Sequence, residues 1–147
     1  MKKKVFKYKF VYWLILSINI FLFISFLIGL INRIETDNFN NLIDIFSFIA
    51  IILICILSLS SLIMFFIKNK NSIITFSAVL FLILLIITFF LFYSLFIIKD
   101  FGENFTDFYT VPLVYGIILG ILFITNYFRF RKDFNEFEIE EIGQKQD

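Results

Sequence analysis

The sequence predicts an all-α membrane protein, an antiparallel four-transmembrane-helix bundle with the N- and C-termini both cytoplasmic. Of its 147 residues, 61% are hydrophobic and 17% charged, well above the roughly 45–50% apolar share of soluble domains. Four apolar runs without a single Asp, Glu, Lys or Arg cover residues 10–31, 45–67, 73–98 and 111–128. Each reaches or approaches the roughly 20 residues that cross about 30 Å of hydrocarbon. Helices that pack on the core of a small soluble domain carry a polar stripe on their solvent side, which these runs lack. The third observation is the placement of Lys and Arg. Eleven of the thirteen fall before the first run, between the second and third, or after the fourth. Only Arg33 and Lys99 lie in the other two loops. This bias assigns both ends to the cytoplasmic side.

The first helix, 10–31, follows Lys2, Lys3, Lys4, Lys7 and Lys9. A basic start before an apolar stretch could pass for a secretory signal, but the run is longer than the roughly 7–15 residues of such a core and no small-residue cleavage pattern follows. It is expected to stay as an anchor. Tyr8, Tyr12 and Trp13 near its inner end, and Tyr127 near that of the fourth helix, fit an interfacial aromatic belt. The second and third helices, 45–67 and 73–98, are joined by five residues, a link that only antiparallel neighbours can use.

The fourth helix, 111–128, opens with the sole proline, Pro112. In a first turn a proline loses no needed hydrogen bond, so Pro112 is read as a start signal. Gly116 and Gly120 follow at G-x-x-x-G spacing, a smooth strip for close helix approach. Packing inside the bundle is the expected use, with contact between copies as the alternative. Residues 1–132 thus form one transmembrane domain. Residues 133–147, with Glu136, Glu138, Glu140 and Glu141, form an acidic cytoplasmic tail, expected to be partly disordered. "DNF" at 37–39 against "ENF" at 103–105, and "FFIKNK" at 65–70 against "YFRFRK" at 127–132, suggest a parallel repeat of two helix pairs. Shared interface chemistry produces such short matches equally well.

Much chemistry is excluded. With no histidine and Cys55 as the sole cysteine, no internal disulfide, metal set or cofactor site is expected. Intramembrane ionisable groups mark proton relays and ion paths, and their absence from the runs counts against a proton-coupled pump. Nucleic-acid binding has no support beyond the amino-terminal lysines, which a membrane surface explains. Asp44 and Asp107 lie just ahead of the outer starts of the second and fourth helices. A carboxylate pair can divide acid and base roles, but capping of free amides is the plainer reading. The outer loops carry Glu35, Asp37, Asp44, Asp100, Glu103 and Asp107 against Arg33 and Lys99. Asp37, Asp44, Glu103 and Asp107 are the candidates there for binding a cationic peptide or a divalent ion. Exclusion of positive residues from outer loops also leaves them acidic.

Asn19 is the deepest amide in the runs and needs a hydrogen-bond partner on another helix. Structural adhesion is its expected role and pore lining the alternative. Phe reaches 24 residues, Lys outnumbers Arg ten to three, and Ala occurs only at Ala50 and Ala78. That bias suits an AT-rich, bacterial coding genome, so the expected location is a bacterial plasma membrane, crossed several times. The expected function is non-catalytic: contact with another membrane protein or a cationic peptide, as accessory and self-protection proteins make. Besides the lipid bilayer, a second copy of the chain is a candidate partner. The alternative is a transporter or channel subunit whose path forms between protomers.

Overall fold

The computed structural model describes residues 5–35, 41–98 and 105–129, and side chains throughout them except at 97, 98 and 105–108. Four helices follow one another: α1 (Lys9–Glu35), α2 (Leu42–Phe66), α3 (Ser72–Tyr93), continued by a π-helical turn (Ser94–Ile98), and α4 (Phe105–Tyr127). Each is long and apolar enough to cross a membrane. Neighbours in sequence pack side by side, α1 on α2, α2 on α3 and α3 on α4, and α4 touches α1 more lightly. The result is the antiparallel four-helix bundle that the apolar runs predict.

The helices outrun those runs at most ends. Backbone hydrogen bonding does not depend on hydropathy, so polar flanks extend a helix that apolarity alone would end. α1 continues through Asn32, Arg33 and Glu35. α2 begins at Leu42, which puts Asp44 inside the first turn instead of ahead of it. Its N-cap is Asn41, whose side chain makes no capping bond. Asp44 still suits the dipole of a first turn. α4 begins at Phe105, so Pro112 is not its start but lies inside the helix. The ring removes the bond that an N–H at 112 would make to the carbonyl at 108, a loss that membrane helices tolerate.

The α2–α3 turn closes tightly. Lys68 N–H donates to the Phe65 carbonyl at 2.9 Å, and Asn69 N–H to the Met64 carbonyl at 2.9 Å. This pair of bonds caps a helix end whose next residue is left-handed, and Lys68 takes that conformation at φ 56°. A second closure ties the stretch before α1 to the residues that follow α4. Phe6 forms an antiparallel bridge with Arg129, and Lys7 N–H donates to the Phe128 carbonyl at 3.0 Å. Val5 and Phe6 of this strap are buried, the Phe6 ring stacked on Phe65 at 6.1 Å.

Packing is uneven along the bundle axis. Val11, Ile15 and Leu16 of α1, Leu62 and Phe65 of α2, and Ile73, Phe76, Val79 and Leu80 of α3 are all buried. They lie in the half that holds the strap and the α2–α3 turn. Ile54 and Ile83 are buried at mid-bundle, and beyond them toward the opposite end Ala50 is the one buried apolar side chain among the described residues. There α2 and α3 leave an apolar groove of about 400 Å³ between them, lined by Ile49, Ala50, Leu53, Leu82, Leu85 and Ile86. Phe46 and Phe89 meet across it, ring centroids 4.7 Å apart.

Candidate functional site

Hydrogen bonds between uncharged polar side chains of different helices form two separate seams among the described residues. Between α1 and α2, Asn19 Nδ2 donates to Ser61 Oγ at 3.0 Å, and Ser58 Oγ donates to Asn19 Oδ1 at 3.0 Å. All three residues are fully buried. An amide surrounded by hydrocarbon has no water to turn to, so this bridge fixes the register of the two helices. Between α3 and α4, Thr88 Oγ1 donates to the Leu84 carbonyl at 2.7 Å. With that proton used, Tyr115 Oη must donate in the 2.6 Å contact to Thr88 Oγ1. Nearer the strap, Asn126 Nδ2 donates to Ser77 Oγ at 3.3 Å and to the Leu122 carbonyl at 2.9 Å. Asn19, Ser58, Thr88 and Asn126 therefore do not converge on one internal path.

At the loosely packed end, Arg33 Nη2 donates to Asp44 Oδ1, and also to Ser47 Oγ at 3.3 Å. This joins the end of α1 to the first turn of α2. Both charged side chains remain more than a quarter exposed. Asp37 and Glu103 lie outside the described residues. Asp107 is the third residue of α4, with its side chain likewise outside the description. Of the four acidic candidates, Asp44 is thus the one whose surroundings are seen, and a guanidinium occupies it. Among the described residues no group of three or more His, Cys, Asp or Glu stands together to hold a metal.

The glycine strip departs from expectation. Gly116 and Gly120 do not pack inside the bundle: a Cβ built on either would meet nothing within 4 Å among the described residues. α4 turns Ile118 and Thr125 inward, and the glycines lie on the far side of the helix, exposed. Leu113, Phe123 and Tyr127 share that outward face at helical spacing, and the rings of Phe123 and Tyr127 stack at 5.4 Å. The middle of the stripe is a bare length of backbone flanked by large apolar side chains.

Sequence reasoning missed the Arg33–Asp44 pair and the Tyr115–Thr88 bond. Arg33 had a sufficient explanation in topology and Asp44 in capping, and Tyr115 read as one more aromatic in an apolar run. A signal was present, since Arg33 and Asp44 are the charges nearest the two helix ends that the 32–44 loop joins.

Four helices long enough to cross a bilayer, two of them joined through a fully buried amide, define a multi-pass helical membrane protein. Comparison of the chain with protein-family models, with curated proteins and with solved structures finds no match.

Proposed function

We propose that this chain is a non-catalytic protein of a bacterial plasma membrane, its termini cytoplasmic, which acts by docking a transmembrane helix of another membrane protein against the outward face of α4. The observation that carries this reading is the open space around Gly116 and Gly120. Between helices in lipid there is no hydrophobic drive, and association rests on van der Waals packing over small residues. Glycine inside a helix costs about 1 kcal/mol relative to alanine. Two glycines with no neighbour among the described residues of their own bundle leave that cost unexplained by the fold, and a partner helix drawn close to the backbone explains it. Contact is put forward over transport because the polar side chains a conduction path needs are engaged in two separate seams.

A Gly120→Leu variant tests the reading cleanly, because the added side chain enters open space and the bundle should keep its stability. Co-purification from gentle detergent is expected to yield a partner with the wild-type chain and to lose it with the variant. An unchanged set of co-purifying proteins contradicts the proposal. Recovery of the chain itself as the partner makes the assembly a homo-oligomer built on the same contact.

A further inference from the structure

Five of the six basic side chains among the described residues gather at one end of the bundle, from three distant stretches of sequence. Lys7 and Lys9 stand at the start of α1, Lys68 and Lys70 in the α2–α3 turn, and Arg129 just beyond α4. Three contacts hold these stretches together: the Lys7 N–H to Phe128 carbonyl bond, the Phe6–Phe65 stack, and the Tyr12 hydroxyl donating to the Phe65 carbonyl at 3.0 Å. The four lysines are exposed and Arg129 half-buried. Glu35, Asp44 and Asp107, the acidic positions among the described residues, all belong to the opposite end. Exposed aromatic side chains sit at the same depth as the lysines: Tyr8, Trp13 and Tyr127. Lys7 Nζ lies 5.8 Å from the centre of the Tyr8 ring. Aromatic rings of this kind settle at the headgroup level of a bilayer, so the cationic rim lies in the plane of lipid phosphates.

We infer that this rim binds anionic phospholipid headgroups, selecting them over zwitterionic ones in the lipid shell around the protein. The inference is independent of the helix-docking reading, which rests on Gly116 and Gly120 about two turns further along α4, and it holds for either orientation in the membrane. Attraction of one near-surface lysine to anionic lipid amounts to about a fivefold preference.

Trp13, the sole tryptophan, lies one helical turn from Lys9 and reports on the lipids beside it. The full chain is reconstituted in phosphatidylcholine vesicles containing either brominated phosphatidylglycerol or brominated phosphatidylcholine at equal mole fraction, and quenching of Trp13 fluorescence is compared. The expected result is stronger quenching by the anionic lipid, equivalent to about a fivefold higher relative affinity, falling toward onefold in a K7Q/K9Q variant. In 1 M salt, where the screening length is about 3 Å, the wild-type preference should shrink as well. Equal quenching by the two lipids in the wild-type chain overturns the inference. So does a preference that the variant and the salt both leave intact.

Discussion

Replacing Phe65 with alanine is expected to destabilise the bundle by about 3 kcal/mol, the lower end of the range for Phe→Ala in water-soluble cores. Phe65 is fully buried where the strap, α1, α2 and α3 meet. Its ring stacks on Phe6 at 6.1 Å and takes the edges of Tyr12 at 6.2 Å and Phe76 at 6.1 Å. Lipid tails are as apolar as the core, so the transfer part of the usual penalty is largely absent in a membrane. What remains is the lost dispersion and the cavity, together with three aromatic pairs of about 0.5–1.5 kcal/mol each. Unfolding by a rising fraction of SDS in mixed micelles, followed by helical circular dichroism, measures the change. Phe65→Leu keeps most of the volume and should lose less than half as much. A loss below about 1 kcal/mol for Phe65→Ala would contradict a core centred on this ring.

Asn19→Leu is expected to cost about 1–3 kcal/mol in the same assay. The substitution keeps the side-chain volume and removes two interhelical hydrogen bonds, each contributing roughly 0.6 and at most about 1.7 kcal/mol in a membrane bundle. It also strands the buried hydroxyls of Ser58 and Ser61 against an apolar side chain. Those hydroxyls can turn to the carbonyl one turn back, which limits the penalty. Removing the stranded groups as well, in a triple variant with Ser58→Ala and Ser61→Ala, should therefore recover part of the loss. Strictly additive losses across the three positions would show that they do not act as a unit.

How much of this was legible in the sequence depended on whether a residue type had one use or several. An uncharged apolar run of some twenty residues has one solution in lipid, and all four became helices. A lone amide at Asn19 needs a partner on another helix, a need readable without coordinates, although Ser58 and Ser61 were only two of several hydroxyls within reach. Helix limits were less legible: the stretch before Val111 is polar, yet α4 starts at Phe105 and draws Pro112 into its interior. The rotation of α4 about its own axis was not legible at all. A helix that is apolar all round carries no stripe to say which face is inside. The direction of Gly116 and Gly120 is instead set by tertiary contacts such as the Tyr115–Thr88 bond and the burial of Ile118 and Thr125. Arg33 and Asp44 illustrate the opposite difficulty, since each had a complete local explanation that hid the bond between them.

The claim that α4 presents its outward face to a partner helix is tested most directly by site-specific photo-crosslinking in native membranes. A photoreactive residue is placed at Leu113 or Phe123 on that face, and at Ile63 of α2 or Phe81 of α3 as equally lipid-exposed controls. A discrete protein adduct is expected from Leu113 and Phe123 and none from the two controls. No adduct from the α4 positions, or the same adduct from Ile63 and Phe81, would contradict the claim.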